Sequence, residues 1–180
     1  MPGYDLEVLD AMLIDGRSGA GKTDLAARIA NRLRALGREP QLLHVEHLYP
    51  GWDGLAEGSR SLAEALDDGG YHRYDWWAEA FAERVPVTTD RPLLIEGCGS
   101  ITAENLAAAR RWAQRAVAPG RPASVWSVWI ECPVDVRRSR ALTRDGETYA
   151  PHWDRWAAQE DLLYEAHRPW LLADELLHCS

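Results

Sequence analysis

Lysine is nearly missing from this chain of 180 residues, which contains 19 arginines and a single lysine, Lys22. Arginine replaces lysine wherever a positive charge is enough, but its planar fork does not replace a compact and flexible ammonium group. We therefore expect Lys22 to do chemistry that an arginine cannot do at this position. The scarcity also excludes the N-K-x-D motif of guanine recognition in regulatory GTPases, because the one lysine is not in that pattern.

A surplus of positive charge is also missing, since the formal net charge is −8. Broad nucleic-acid binding needs a positive surface that displaces counterions, so no nucleic-acid partner is expected. No apolar run is long enough to span a bilayer, and the acidic residues 1–10 do not resemble a signal peptide, so no membrane partner is expected. Cysteine is scarce as well. Cys98, Cys132 and Cys179 have no metal-like spacing and cannot all pair, which favours a reduced, cytoplasmic setting.

The chain does contain enough apolar sequence for a folded core, with 46% hydrophobic residues. Its length suits a single domain over residues 1–180. Continuous apolar runs alternate with helical patterns, which predicts an α/β fold with a parallel sheet covered by helices on both faces. The predicted strands are Leu9–Ile14, Gln41–Val45, Pro92–Ile95 and Val125–Ile130, with a weaker one at Glu175–His178.

Helices are predicted where apolar residues recur three and four positions apart. Trp77, Phe81 and Val85 have this spacing behind a candidate N-cap at Asp75, which predicts a helix with Trp77 in the core. A capping-box spacing that begins at Ser61 predicts the start of a short helix before it. The other predicted helices cover residues 25–36, 106–117, 134–144 and 155–167.

A phosphate-binding motif, G-x-x-x-x-G-K-T, follows the first predicted strand and opens the first predicted helix, which is the context that the motif requires. Its glycines let the backbone wrap around an anion, and the helix start adds a positive dipole end. We expect Lys22 to reach the β- and γ-phosphates of ATP and the Thr23 hydroxyl to ligate Mg²⁺. The residues predicted to bind the nucleotide are Gly16, Arg17, Ser18, Gly19, Ala20, Gly21, Lys22 and Thr23.

An acidic residue, Glu96, ends the predicted third strand. Carboxylates at such strand ends hold Mg²⁺ in P-loop proteins, so Glu96 is predicted to be a metal ligand with Thr23, the alternative being a solvent-facing glutamate. Asp15, directly before the motif, is expected to be structural. His44 and His47 are also expected to be structural, because they have no metal-ligand partners at a useful spacing.

Three arginines, Arg137, Arg140 and Arg144, are spaced three and four apart and so share one face of a predicted helix. Arginines on one face repel one another unless an anion lies opposite, which favours a role in stabilising a transferred phosphoryl group. The alternative is a solvated basic face paired with nearby acidic residues. A polar loop and a second helix follow, so a lid that excludes water is predicted at about residues 137–156.

Polar and aromatic residues follow the second predicted strand and would emerge beside the motif. A kinase that acts on a hydroxyl gains from a carboxylate within hydrogen-bond reach, and Glu46 is the first candidate for this base, with Asp53 the second. Tyr49 and Trp52 are predicted to cover a planar acceptor, and Arg73 to stand on another wall of the site. Core packing is the alternative for these aromatic residues.

The order of these features resembles the uridine kinase-like branch of the P-loop nucleoside and nucleotide kinases. The resemblance rests on the P-loop, the acidic residue and aromatic pair after the second strand, the Glu96-Gly97 strand end, and D-x-R-x-x-R-x-x-x-R-D at Asp135–Asp145. It implies a three-layer sandwich, a five-stranded parallel sheet in the order 2-3-1-4-5, ATP with Mg²⁺, and an arginine-bearing lid. Glu46 and Leu48 depart from the Asp and Phe that are usual there.

Together these features predict an ATP-dependent kinase that acts on a hydroxyl or phosphate of a small-molecule acceptor. Lys22 and the three arginines would stabilise the transferred group, and the aromatic residues favour a nucleoside or nucleotide. Three alternatives stay open: nucleotide binding without transfer, a sugar kinase of the gluconate or shikimate kind, and an antibiotic-modifying kinase. An ABC-type or motor ATPase would need more length or a signature motif, and neither is found.

Overall fold

The computed structural model describes residues 3–179 and is built around one parallel sheet. Seven strands occur in this range: β1 (Ala11–Gly16), β2 (Gln41–His44), β3 (Gly70–Asp75), β4 (Ala80–Pro86), β5 (Leu93–Glu96), β6 (Val125–Glu131) and β7 (Glu175–His178). Five of them form the sheet in the order β2-β5-β1-β6-β7, with every neighbour parallel. When the separate β3–β4 pair is left out of the count, this is the predicted order 2-3-1-4-5, which is confirmed.

Helices cover both faces of the sheet, as predicted. In the same residues the α-helices are α1 (Lys22–Ala35), α2 (Leu55–Asp67), α3 (Ala103–Ala116), α4 (Val134–Tyr149), α5 (Trp153–His167) and α6 (Pro169–Leu172). Short 3-10 turns lie at Val45–Leu48 and Ala150–His152. The loop predicted after the arginine helix is therefore largely helical, with a break in α4 at Gly146, where φ is 54° and ψ is −132°.

The central strand β1 shows how the two cores form. Successive side chains of a strand point to opposite faces, so Leu13 packs with Leu62 and Trp112 of α2 and α3, while Met12 packs with Leu33 of α1. All these side chains are essentially inaccessible to solvent. Burial of one such side chain contributes roughly 1.5–3 kcal/mol, and this double coverage explains why the strand is apolar throughout.

The helix predicted over residues 77–85 is wrong. Residues 70–86 form an antiparallel hairpin, in which Tyr71 pairs with Val85 and Tyr74 with Phe81. A spacing of four positions fits both the period of a helix and the alternation of a strand, so Phe81 and Val85 did not discriminate between the two. The Asp75 carboxylate accepts backbone N–H bonds from the next turn at 2.9 and 3.0 Å, and Trp77 at the tip is 98% exposed rather than buried.

The helix start predicted at Ser61 is also wrong, because α2 begins six residues earlier at Leu55. Ser61 lies inside the helix, where its hydroxyl donates a hydrogen bond to the carbonyl of Glu57. Gly58 weakens the helical pattern in the sequence, but it lets α2 pack closely against Tyr49. A Cβ at this position would lie 2.4 Å from the ring of Tyr49.

Two of the three cysteines are joined in the structure. A disulfide links Cys132, just after β6, to Cys179, just after β7, and so ties the ends of two neighbouring strands. A reduced setting, as predicted from the sequence, would not be expected to keep this disulfide formed. Cys98 is free and buried. Among residues 3–179, none of the helices has the length and apolar character needed to cross a membrane.

Candidate active site

An open pocket of about 660 Å³ lies at the carboxyl ends of β1 and β5, under the start of α1 and beside α4 and α5. Ligands of open parallel sheets bind at this edge. We divide its lining into two parts. The P-loop half consists of Ser18, Gly19, Lys22, Thr23, Glu96, Gly97 and Cys98, and the aromatic half of Glu46, Tyr49, Trp52, Trp76, Arg144, Asp145, Thr148, Tyr149 and Trp156.

The P-loop has the open side that an anion needs. Gly19 and Gly21 adopt left-handed backbone conformations, with φ of +81° and +98°. A Cβ at Gly19 would lie 2.2 Å from the carbonyl oxygen of Arg137, whereas a Cβ at Gly21 would have no neighbour within 4 Å. The loop is therefore packed tightly against α4 on one side and open on the other. This geometry leaves room for a phosphate.

The ammonium group of Lys22 is inside the P-loop half. Its Nζ donates to the carbonyl of Arg17 at 3.1 Å and lies 3.4 Å from the Cys98 sulfur. Burial alone would lower the pKa of Lys22, but acidic groups around it, Glu96 and Glu160 among them, raise the pKa above its ordinary value. Lys22 thus stays protonated although it is buried, as a phosphate ligand must.

A carboxylate joins the pocket next to Thr23. The Thr23 hydroxyl donates to Glu96 Oε2 at 3.3 Å, and the other oxygen, Oε1, lies 2.6 Å from His44 Nδ1. Burial would raise the pKa of Glu96, but the bond to His44 and the charge of Lys22 together lower it, so the carboxylate is ionised. A hydroxyl and an ionised carboxylate side by side are oxygen ligands of the kind that Mg²⁺ prefers.

His44 was expected to be structural, and the structure places its ring against Glu96, the predicted metal ligand. It ends β2, which pairs with β5 in a register that places His44 directly beside Glu96. The pairing of the ends of β2 and β5 could be known only from the order of the strands in the sheet. A histidine that positions a metal ligand need not show the spacing of the ligands themselves, so the sequence could not assign this role to His44.

Asp15 lies under the P-loop with its carboxylate fully buried. It accepts backbone N–H bonds from Gly16, Gly99 and Ile101 at 2.7, 3.1 and 2.8 Å, and the Tyr164 hydroxyl donates to it at 2.8 Å. Burial raises the pKa of Asp15 to about 6 against the effect of these donors. The residue ties the P-loop to the loop after β5, which agrees with the structural role expected for it.

Ser18 is held by three side chains from α4 and α5. Its backbone N–H donates to Glu160 at 2.6 Å, its carbonyl accepts from Arg137 at 3.2 Å, and its hydroxyl accepts from Tyr149 at 2.9 Å. Arg137 is buried behind the loop, where it also donates to the carbonyl of Cys132. Glu160 and Tyr149 carried no signal in the sequence.

The three arginines predicted to act together do not converge on the pocket. Arg144 lines it and makes three hydrogen bonds to Asp145, at 2.9, 3.0 and 2.6 Å. Arg137 packs against the back of the P-loop, and Arg140 lies 3.8 Å from the sulfur of Cys132. The three positions lie on one face of the helix, but Arg137 and Arg144 are about 10 Å apart along its axis, so one face in sequence became three different surroundings.

Glu46 is in the 3-10 turn after β2 and faces the aromatic half of the pocket. Burial, and next the negative charge of Glu96, raise the pKa of Glu46 above its ordinary value, although Arg144 acts in the opposite direction. The carboxyl group is therefore a stronger base than a glutamate in free solution. This is the property expected of a general base that works near neutral pH.

Aromatic side chains form the rest of this half. Trp52 and Trp76 contact edge to face with ring centroids 5.1 Å apart. Trp52 meets Trp156 at 89°. Tyr49 is mostly buried and donates to the Cys98 carbonyl at 2.6 Å, so it combines core packing with lining of the pocket. Trp76 belongs to the cluster Tyr71–Trp77 that the sequence suggested for another wall of the site, and a hairpin rather than the predicted helix brings it here.

The pocket lining does not include two of the residues predicted for the acceptor side, Asp53 and Arg73. The Asp53 carboxylate is 71% exposed and forms an ion pair with Arg155. Arg73 on β3 pairs with Glu83 on β4 at 2.7 Å. The structure therefore separates Asp53 and Arg73 from the group formed by Lys22 and Glu46.

No family model matches this chain, and no curated protein matches it. Solved structures do match. A structure from Bacillus stearothermophilus named as a possible uridine kinase is 20% identical, with a TM-score of 0.57, and the match covers 97% of this chain and 91% of that one. The chain has the P-loop kinase fold.

Two further structures share this P-loop kinase fold. One, from Silicibacter sp. TM1040, is named as a candidate fructose transport system kinase. It is 19% identical with a TM-score of 0.55, and the match covers 98% of this chain and 92% of that one. The other, a gluconokinase from Sinorhizobium meliloti 1021, is 15% identical with a TM-score of 0.50, covering 95% and 82%.

Proposed function

We propose that this protein is an ATP- and Mg²⁺-dependent phosphotransferase that acts on a hydroxyl or phosphate of a small molecule, with nucleosides and nucleotides as the first candidates. The observation that carries the proposal is one pocket that is lined by the Lys22 ammonium, by the Thr23–Glu96 pair and by Glu46. A passive nucleotide-binding protein would gain little from a further carboxylate in the same pocket as its P-loop.

Residues 16–23 would bind the phosphates of ATP, since the loop is open on the side of Gly21 and Lys22 is protonated. Thr23 and Glu96 would hold Mg²⁺, which supplies neutralisation of phosphate charge when bound. His44 fixes one oxygen of Glu96 and so leaves the other directed at Thr23.

For a hydroxyl acceptor, Glu46 would take the hydroxyl proton as the oxygen attacks the γ-phosphorus of ATP. The bond from the γ-phosphorus to the bridging oxygen breaks, and ADP leaves. Lys22 would stabilise the charge on the transferred group, while a catalytic role for Arg144, which bonds to Asp145, stays a prediction. Arg137 supports the P-loop from behind, and a catalytic role for Arg137 and Arg140 stays a prediction.

Residues 137–156 are proposed to act as a lid of the single domain. Tyr149 of α4 already bonds to Ser18, so this segment closes directly onto the P-loop. A closed lid excludes water, which would otherwise accept the phosphoryl group. We expect the protein to act on a small-molecule acceptor, and a cytoplasmic setting stays a prediction that the Cys132–Cys179 disulfide does not favour.

The test is ATP consumption with Mg²⁺ across nucleosides, nucleoside monophosphates, sugars and aminoglycosides, with the product mass measured. An acceptor that gains one phosphoryl group supports the proposal. The similar structures named for uridine, a fructose transport system and gluconate are reasons to include ring compounds and sugars in the panel. Tight ATP binding with no turnover on any acceptor would favour nucleotide binding without transfer.

A further inference from the structure

The charges that line the aromatic half are mainly negative. Glu46 and Asp145 contribute two carboxylates, against the one guanidinium of Arg144. That guanidinium is already bonded to both oxygens of Asp145. Glu46 is thus the charge that this half presents to a bound molecule. The triphosphate expected in the P-loop half would add further negative charge nearby.

The arginines around this half are also engaged. Arg73 pairs with Glu83 on the hairpin, and Arg155 pairs with Asp53 outside the rim. Arg137 is turned toward the P-loop backbone. An anionic acceptor would therefore have to compete with an existing ion pair for each of the first two cations. It would also lose its hydration without gaining a new partner, which is costly for a charged group.

The rings in this half favour the opposite kind of ligand. Trp52 stacks on His152, with ring centroids 4.1 Å apart and planes inclined by 7°, so one of its faces is covered. Trp76 lines the pocket with its plane inclined to that of Trp52 by 61°, so Trp76 is the ring that this half offers to an acceptor. The face of an aromatic ring is electron-rich and attracts a cation or the edge of another ring. It repels an anion.

We propose that the acceptor is a hydroxyl compound with a ring that lies against Trp76, and that it carries no phosphate or carboxylate group. This inference rests on the proposed function and narrows it. An uncharged nucleoside or an amine-bearing sugar fits the aromatic half, while a nucleoside monophosphate or a sugar acid does not. Glu46 serves such an acceptor in two ways, as the base for its hydroxyl and as the counter-charge for any amine.

The first test compares kcat/KM for matched acceptors that differ in charge: a nucleoside with its 5′-monophosphate, and glucosamine with gluconate. We expect kcat/KM to be about a hundredfold or more higher for the uncharged or cationic member of each pair. This is the factor expected from two unfavourable charge contacts. Comparable or faster turnover of the anionic member would overturn the inference and leave the kinase function standing. Turnover of none of them, with ATP bound, would count against both.

A second test does not depend on the identity of the acceptor. Tryptophol, tryptamine and indole-3-acetate share one ring and are neutral, cationic and anionic, and their affinity can be measured by calorimetry with a non-hydrolysable ATP analogue present. We expect the anion to bind at least tenfold more weakly than the other two. Equal or tighter binding of the anion would overturn the inference.

Variants locate the effect in the aromatic half. Trp76→Leu should weaken tryptophol binding severalfold, whereas Trp77→Leu, the matched change at the fully exposed neighbour, should leave it unaltered. Asp145→Asn removes the partner of Arg144 and should strengthen binding of indole-3-acetate. If the Trp77 variant weakens binding as much as the Trp76 variant, or if Asp145→Asn has no effect on the anion, the ring and charge assignments are wrong.

Discussion

The two halves of the pocket are built by different means. In the P-loop half, backbone groups and buried polar side chains hold one another, as in the three bonds to Ser18 and the four donors on Asp15. In the aromatic half, side chains from a 3-10 turn, a hairpin and α4–α5 pack on each other. The residues that would recognise phosphate therefore lie mainly in one short motif, whereas those that would recognise the acceptor come from segments that meet only in the folded chain.

The largest effect is expected at Lys22, on which the P-loop half depends. Lys22→Ala should lower kcat/KM by about a thousandfold or more, because a buried ammonium beside the phosphates is lost. Steady-state ATP turnover measures this. The control is Arg28→Ala, which removes an exposed cation from the same helix and should change turnover little. Unchanged activity in the Lys22 variant would break the assignment of this half.

The second effect concerns Asp15, the buried carboxylate that holds the P-loop half together. Its pKa of about 6 in the folded protein exceeds the ordinary Asp value, so its contribution to stability is full at low pH and is lost as the pH rises through 6. The free energy of unfolding should fall by roughly 3 kcal/mol from this group between pH 4 and pH 7. Denaturant titrations at several pH values should show this fall in the wild type and a flatter profile in Asp15→Asn. Identical profiles would contradict it.

The aromatic half is tested by a pair of carboxylates. Glu46→Gln should lower kcat by about a hundredfold while ATP affinity stays within about twofold, since a general base is lost. Because burial raises the pKa of Glu46, the acid limb of the wild-type rate profile should lie above the usual carboxyl range and vanish in the variant.

The matched control for that variant is Asp53→Asn. Asp53 is exposed and paired with Arg155 outside the lining, so turnover should stay within about twofold. If Asp53→Asn lowered turnover and Glu46→Gln did not, the base would have to be reassigned to Asp53. The lid would then have to move to bring Asp53 into the pocket.

The smallest effect is expected at the tip of the hairpin. Trp77→Ser should change the free energy of unfolding by less than about 0.5 kcal/mol, because the side chain is 98% exposed. A tryptophan in the core, as the predicted helix required, would cost about 3–5 kcal/mol on truncation. Thermal or denaturant unfolding separates these two values easily.

The sequence predicted the P-loop half far better than the aromatic half, for a physical reason. Continuous apolar strands, the glycine motif and Glu96 at a strand end all report local structure, so the strands and the P-loop could be foreseen from local patterns, whereas the sheet order came from the family resemblance. Arg137, Arg140 and Arg144 were correctly placed on a helix, but which way each side chain turns depends on the partner surface. His44 and Trp76 needed a strand register and a hairpin, which no local pattern contains.

One property of the P-loop half has a practical use. Lys22 is the only lysine of the chain and it lines the pocket, with 8% of its surface accessible. Reagents that acylate amines therefore have a single side-chain target, and its modification can be followed by peptide mass. Any compound that fills the P-loop half should shield this amine, so protection from labelling would report occupancy of the site for ligands that are never turned over.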